Sequence, residues 1–236
     1  NSFQPSCPAF ALFRLNRGGM YDCSNLYLQL QADPAGLAAL RALKGQLTLP
    51  AVLLVLPSDN KADADLFSRL VKDVQLLEAA ALIEDDIDLA QACGADGVHL
   101  SPAADLLEQY EKARETLDAE SIVGVSVGLS RHNAMTLGEA GADYIAFDAS
   151  QPIATDVVIE GDEQVELLAW WAEVFEVPCV GLTAGTSERA RALLDAGADF
   201  VGLDLGNAVA ETDLANRILA FARELPTTNE RTLVHE

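Results

Sequence analysis

The chain has 236 residues, half of them hydrophobic, which suits a single domain with a large core. Its 15 Lys and Arg face 37 Asp and Glu, and a net charge of −22 repels nucleic acid and anionic membranes. No run of about 18 apolar residues is present, so the composition also argues against a membrane span.

Apolar runs that alternate with helical spacing predict a strand followed by a helix, repeated eight times. The expected strands are 26–30, 51–56, 79–83, 97–100, 122–126, 144–147, 178–182 and 200–203. The pattern predicts an α/β fold, a (β/α)8 TIM barrel, over residues 24–225. Residues 1–23 are expected to be an N-terminal extension, and the polar residues 226–236 a C-terminal tail.

One seven-residue segment occurs in three similar copies, at 94–100, 141–147 and 197–203. Each copy places a Gly where a helix ends and an Asp just before a buried strand. The Asp residues, Asp96, Asp143 and Asp199, fall at the bottom of the barrel, where side chains usually serve turns and stability. Chemistry is therefore expected at the opposite ends of the strands.

The four cysteines, at positions 7, 23, 93 and 179, show no paired spacing. Cys93 and Cys179 fall in apolar segments and are expected to be small core residues. This pattern indicates a reduced protein, which we expect to be cytoplasmic.

The loops after the seventh and eighth strands each place a Gly before a helix. Backbone N–H groups at such helix starts can cradle a phosphate, so Gly185, Thr186, Gly206 and Asn207 are candidate ligand contacts. A plain left-handed turn explains the same glycines equally well, and both interpretations stay open.

Acidic side chains follow the third and fourth strands. Asp85, in the run Glu84-Asp85-Asp86, could hold Mg²⁺ together with Asp105 on the next loop, because this ion takes oxygen ligands and bridges to phosphate. The alternative is that acids at helix starts complement the helix dipole. His99 has no partner at metal-ligand spacing and is expected to be a core residue with its hydrogen bonds satisfied.

The run Leu82-Ile-Glu-Asp-Asp-Ile-Asp-Leu-Ala90, followed by Gly94-Ala-Asp-Gly-Val-His-Leu100, resembles the thiamine phosphate synthase family, including its thiazole tautomerase branch. That family typically reads LIINDRVDLALAVGADGVHLGQ there, and the likeness continues over roughly residues 26–220. It implies an Mg²⁺-dependent transferase that joins a pyrimidine pyrophosphate to a thiazole phosphate.

The resemblance also assigns residues. Asp85 matches one metal ligand, Glu84 replaces the Asn beside it, and Asp105 stands one position after the place of the second metal Asp. Ser126 matches the Ser of the family's GVS motif. Asp86 replaces the Arg that follows the metal pair, which reverses the charge at that position.

Other basic groups of the family pattern are also replaced. The QLREK segment on the second strand reads Leu-Val-Leu-Pro-Ser58, with no basic residue before Lys61. The TxTK loop that clamps pyrophosphate corresponds to residues 150–156, which contain no Lys. Of the remaining basic residues near the strand ends, Arg131 is the one we expect to act in catalysis, beside Ser126.

These features favour a thiamine phosphate synthase-like barrel with an altered or weakened site that binds a phosphorylated small molecule. The alternative is a non-catalytic or repurposed barrel that binds a phosphorylated ligand or a protein partner. A different phosphate-binding enzyme, such as an isomerase, ranks lowest, because no acid–base pair stands out at the strand ends. Both a monomer and a homodimer remain open.

Overall fold

A computed structural model describes residues 21–56, 63–149, 162–182, 185–204 and 213–225, with only the backbone described for 21–22. Eight parallel strands form a closed barrel, which confirms the predicted (β/α)8 fold. Two further short strands lie outside it. The strands are β1 (Tyr21–Asp22), β2 (Leu26–Gln31), β3 (Leu47–Thr48), β4 (Ala51–Val55), β5 (Ala80–Glu84), β6 (Gly97–Leu100), β7 (Ile122–Ser126), β8 (Tyr144–Phe147), β9 (Cys179–Gly181) and β10 (Phe200–Asp204).

Each barrel strand is followed by a helix that covers the outside of the sheet. The helices are α1 (Pro34–Leu43), α2 (Ala64–Gln75), α3 (Ile87–Cys93), α4 (Leu106–Thr116), α5 (Arg131–Ala140), α6 (Glu163–Val174), α7 (Ser187–Asp195) and α8 (Leu214–Glu224). The predicted strands differ from the observed ones by one or two residues at their ends. The hydrophobic pattern of the sequence defines the ends of an element less well than its middle.

Barrel closure divides the core into two parts. Outside the strands, leucines and valines pack against the helices in one large buried cluster. Inside the strands lies a smaller cluster, which includes the two fully buried phenols Tyr27 and Tyr144. Large and small side chains alternate on this inner face, as is usual for a filled barrel rather than a pore.

The aspartates of the three repeats act as scaffold, as the sequence predicted. Each carboxylate accepts a hydrogen bond from a backbone N–H at the start of the preceding strand, which ties neighbouring strands together below the barrel. The pairs are Ala81 to Asp96 at 2.8 Å, Val123 to Asp143 at 2.7 Å and Cys179 to Asp199 at 2.9 Å.

The pairing of β1 with β3 was not predicted. The two strands are parallel, with Tyr21 opposite Leu47 and Asp22 opposite Thr48. Strands of two residues are too short to show any periodicity, so no sequence pattern marks them.

The three described cysteines, Cys23, Cys93 and Cys179, are buried and form no disulfide, which confirms the core positions expected for Cys93 and Cys179. Cys7 lies outside the described residues. Within the described ranges, no helix is both long enough and apolar enough to cross a bilayer.

Candidate functional site

The C-terminal ends of the strands form the mouth of the barrel. Alternation along β5, β7 and β10 turns Glu84, Ser126 and Asp204 toward the barrel interior at this end, and Asp148 follows β8 in the same direction. These four side chains bring three acids and one hydroxyl to the part of the mouth that the structure describes.

Glu84 is the half-buried acid of this group. Its Oε1 accepts a hydrogen bond from Ser101 Oγ at 3.3 Å. Burial raises the pKa of the Glu84 carboxyl, and the nearby charges of Asp85 and Asp204 raise it further, against the lowering effect of Ser101. An acid with a raised pKa among other acids marks a place where a cation or a hydrogen-bond donor of a ligand would be stabilised.

Asp85 and Asp86 have defined local roles. Asp85 adopts a positive φ of 53°, and its Oδ1 accepts from the Ser101 backbone N–H at 2.7 Å, which joins the loops after β5 and β6. Asp86 is the N-cap of α3, where its Oδ1 accepts from the Leu89 N–H at 2.9 Å. The helix-start alternative thus holds for Asp86, whose acid satisfies an orphan donor of the helix.

Asp105 lies at the start of α4 and is exposed. Its Oδ1 accepts from Gln109 Nε2 at 2.9 Å, and it makes no side-chain cap. Across the described residues, no group of three or more His, Cys, Asp or Glu side chains is arranged to hold a metal ion. The assignment of Asp85 and Asp105 to a magnesium site stays a prediction.

Ser126 ends β7 with its side chain inside the barrel and is only 2 % exposed. Its Oγ makes no hydrogen bond to any part of the chain that the structure describes. A buried hydroxyl normally finds a partner, so this atom is available to a ligand that reaches the bottom of the mouth.

Three buried polar side chains form a cluster just below the mouth. Tyr144 Oη lies 2.8 Å from both His99 Nδ1 and Tyr27 Oη, and Tyr27 Oη lies 3.4 Å from the same His99 nitrogen. Burial lowers the pKa of His99 from 6.5 to about 4, although the charge of Asp148 acts in the opposite direction. His99 is therefore a neutral core residue, as the sequence predicted, but its two tyrosine partners were not foreseen.

Gly124 explains how this cluster fits. The strand register places His99, Gly124 and Tyr144 side by side on β6, β7 and β8. A Cβ on Gly124 would lie 1.9 Å from Tyr144 Cζ, so the phenol ring crosses the space that a side chain would fill. The Gly of the GVS motif thus admits Tyr144 beneath Ser126.

The basic residue expected in catalysis has an aromatic contact. Arg131 is the first residue of α5, and its guanidinium lies 4.9 Å from the ring centroid of Trp170 on α6. Such a cation–π contact holds the charge against the helix layer. Its role in catalysis stays a prediction.

A second arginine near the mouth is held by α6. Arg189 forms a salt bridge with Asp162 and donates to Gln164 Oε1 at 2.7 Å. Gln164 is buried, and its Nε2 donates to the last carbonyls of two neighbouring strand ends, Phe147 O at 2.7 Å and Leu182 O at 2.8 Å. This buried Gln was not singled out in the sequence, because its partners are distant along the chain.

Of the candidate phosphate contacts, Thr186 caps α7, with its Oγ1 accepting from the Arg189 N–H at 3.2 Å. Gly185 precedes it and is exposed. Gly206 and Asn207 lie outside the described residues, as do Lys61 and the loop 150–156. The cradle that these residues were expected to form therefore remains a prediction.

Comparisons of sequence identify one family. Residues 37–203 match the family model described as thiamine monophosphate synthase. The chain is 39 % identical to the thiamine-phosphate synthase of Erythrobacter litoralis over 67 % of this chain and 74 % of that one. It is 42 % identical to that of Rhodospirillum centenum over 55 % of this chain and 61 % of the relative.

A solved structure gives the same result. The thiamine phosphate pyrophosphorylase from Pyrococcus furiosus superposes with a TM-score of 0.60 at 25 % identity, covering 85 % of this chain and 97 % of that one.

Proposed function

The chain belongs to the thiamine monophosphate synthase family, and we propose that it is a synthase with a weakened pyrophosphate clamp. It is a thiamine phosphate synthase-like barrel, and the reaction of that family joins a pyrimidine pyrophosphate to a thiazole phosphate. The observation that carries the proposal is the make-up of the mouth. Ser126, the residue matched to the family's GVS motif, keeps a buried hydroxyl with no partner among the described residues, while Glu84, Asp148 and Asp204 lie at the same end of the barrel.

The acids fit Mg²⁺ in kind. Glu84 and Asp85 offer carboxylate oxygens at adjacent positions, and Mg²⁺ is commonly held by one or two carboxylates together with substrate phosphates and waters. When bound, the ion would neutralise charge on the departing pyrophosphate. Asp105, which is exposed at the start of α4, is the second ligand that the sequence predicts beside Asp85, and the described acids do not converge as a group of three.

The clamp is weakened because basic groups of the family pattern are replaced. Asp86 stands where the family has an Arg, and its carboxylate serves α3 as a cap. Arg131 and Arg189, both near the mouth, are engaged with Trp170 and Asp162. Each missing charge-assisted contact to a phosphate costs about 1.5–3 kcal/mol, or roughly one to two decades in rate.

Contacts to the phosphate of the thiazole partner are assigned to Gly185, Thr186, Gly206 and Asn207. Exposed Gly185 and the α7 cap Thr186 stand at a helix start, where backbone N–H groups favour an anion.

The test is a coupling assay beside the Erythrobacter litoralis synthase, with thiamine phosphate formation measured in Mg²⁺ and in EDTA. We expect Mg²⁺-dependent turnover at least tenfold slower than that of the relative. Equal rates would contradict the weakened clamp. No turnover above buffer, with folded protein and saturating Mg²⁺, would contradict the synthase assignment.

A charge-restoring variant sharpens this assay. Asp86→Arg returns the family's cation, and we expect turnover to rise by about one decade despite the lost cap. Asp86→Ser is the matched control, since Ser keeps a cap while removing the charge. If the Ser variant gains as much as the Arg variant, the restored contact is not the cause.

The second candidate is a barrel that binds a phosphorylated ligand without turnover. The pairing of Arg189 with Asp162 and Gln164 favours it, because a committed guanidinium is a poor clamp for a leaving pyrophosphate. Thermal shifts with thiazole phosphate and thiamine phosphate, in the absence of any product formation, would support this candidate over the first.

A further inference from the structure

A buried glutamine joins the ends of two barrel strands at the mouth. Gln164, in the first turn of α6, is only 1 % exposed. Its Nε2 donates to Phe147 O at 2.7 Å and to Leu182 O at 2.8 Å. Phe147 is the last residue of β8, and Leu182 directly follows β9. The side chain therefore bridges the two strands at the point where they leave the barrel.

The amide continues the ladder between these strands. Phe147 pairs with Gly181 at the end of the register, and the Leu182 N–H still donates to Phe147 O at 2.9 Å. Beyond this point Gln164 supplies one further hydrogen bond to the end of each strand. The separation of β8 and β9 at the mouth thus depends on a side chain from the helix layer as well as on the sheet.

The third partner of the amide fixes its orientation. Gln164 Oε1 accepts from Arg189 Nη2 at 2.7 Å. The two strand carbonyls can only accept and a guanidinium can only donate, so all three partners match the amide in one orientation. A carboxylate has no donor for the carbonyls, so this position selects an amide over an ionised acid of the same shape.

Arg189 extends the connection to α7. It lies in the first turn of that helix, and its guanidinium also forms a salt bridge with Asp162, the N-cap of α6. Its backbone N–H donates to Thr186 Oγ1 at 3.2 Å, which is the cap of α7. Arg189 therefore contacts the start of α7 through its backbone and the start of α6 through its side chain.

This connection ends beside the residues assigned to the ligand. Gly185 and Thr186, the proposed phosphate contacts, come directly before the turn that contains Arg189. A binding group has to be held to within about 0.5 Å, and hydrogen bonds behind it provide that precision. An exposed salt bridge such as Arg189 with Asp162 contributes little by itself, whereas loss of a buried partner such as Gln164 has a large effect.

We propose that Gln164 is a positioning residue of the ligand site, which acts through Arg189 to hold the start of α7 against the ends of β8 and β9. The ligand group that this arrangement serves is a phosphate at Gly185 and Thr186. The phosphate half of the inference rests on the proposed function, and it applies to a synthase and to a binding barrel alike. The half that concerns the position of α7 rests only on the contacts of Gln164 and Arg189.

The first experiment needs no ligand. Amide hydrogen exchange of the full chain is compared between the wild type and Gln164→Leu, which keeps an apolar filling but makes no hydrogen bond. We expect the Leu182 and Arg189 amides to exchange at least about tenfold faster, because their region opens locally. The Cys179 amide, which donates to Asp199 at the other end of β9, reports global unfolding and should not change.

Unchanged exchange at Arg189 would overturn the inference whatever the protein binds. If Gln164→Leu does not fold, Arg189→Met breaks the same connection at a partly exposed position and should show the same local acceleration at the start of α7. Absence of that acceleration in Arg189→Met would overturn the inference equally.

The second experiment measures binding of the thiazole phosphate by calorimetry. We expect Gln164→Leu to bind about three- to tenfold more weakly, the effect of one hydrogen bond. Asp199→Ala is the matched control, because it removes a contact to β9 at the bottom of the barrel and should leave the affinity unchanged. Equal affinities of Gln164→Leu and the wild type would contradict the positioning role, as would an equal loss in Asp199→Ala.

A double-mutant cycle tests whether Gln164 acts through Arg189. In an Arg189→Met background, Gln164→Leu should change the affinity by less than about twofold, because the connection is already broken. Additive effects of the two substitutions would overturn the inference. If the wild type does not bind the thiazole phosphate at all, the proposed function and the phosphate half fail together, while hydrogen exchange still decides whether Gln164 holds α7.

Discussion

Acidification should destabilise the barrel through His99. Burial holds the folded-state pKa of this side chain near 4, whereas an exposed His in the unfolded chain titrates near 6.5. Between these pH values His99 is protonated in the unfolded chain but not in the folded chain. The contribution of His99 to the free energy of unfolding is therefore complete above about pH 6.5 and is lost progressively as the pH falls toward 4.

The size of the effect follows from the shift of the pKa. A difference of about 2.5 units corresponds to roughly 3 kcal/mol in the free energy of unfolding. For a urea slope of about 3 kcal/mol per molar, the midpoint would move by roughly 1 M between pH 7 and pH 4.

Other groups titrate in the same range, so the assay needs a difference between two proteins. Urea unfolding of the wild type and of His99→Gln is followed by far-UV circular dichroism at several pH values. Gln cannot titrate, and its amide oxygen can accept from Tyr144. The contributions of Glu84, whose raised pKa acts in the opposite direction, and of the general acidic charge cancel in the comparison. Parallel pH profiles for the two proteins would refute the reasoning.

Three more predictions concern the scaffold. Gly124→Ala should cost about 1–3 kcal/mol in unfolding free energy because its Cβ meets Tyr144, whereas Gly185→Ala meets no atom within 4 Å and should cost little. Asp199→Ala should lower the unfolding free energy by about 1–3 kcal/mol, since the Cys179 N–H loses its acceptor, and Asp199→Asn should recover most of this loss. Thermal melts that show no difference between the wild type and Asp199→Ala would contradict the role of Asp199 in joining the two strands. The Cys179 thiol, whose pKa burial raises to about 12, should resist alkylation at pH 8 until the chain unfolds, as mass spectrometry of iodoacetamide-treated protein would show.

The barrel was predictable because its signals are local. Apolar runs mark the strands, and Gly residues at helix ends, such as Gly94 with φ 67°, mark the turns between them. The cap at Thr186 is a contact of the same local kind, since a hydroxyl before a helix has a nearby N–H to satisfy. Ends of elements were less accurate. β5 extends one residue beyond its predicted end, to Glu84. The alternation of the strand therefore directs the Glu84 side chain into the mouth of the barrel.

The site was predictable only in part. The order of the strands brings Glu84, Ser126 and Asp204 to one end, as expected for the C-terminal face of a barrel. The partners of Arg131 and Arg189 were not predictable, because Trp170 and Gln164 both belong to a neighbouring helix, α6. Their contacts depend on how α5, α6 and α7 pack.

By itself, the sequence determined the repeated strand–helix unit, the scaffold role of its aspartates and the family. Each of these depends on residues within a few positions of one another or on a collinear pattern. Only the tertiary structure decided that Tyr27 and Tyr144, 117 residues apart, share a hydrogen bond. The ring of Tyr144 fills the space beside Gly124, which has no side chain. The physical reason is closure of the barrel, which fixes the register of every strand at once and brings together side chains that no spacing along the chain relates.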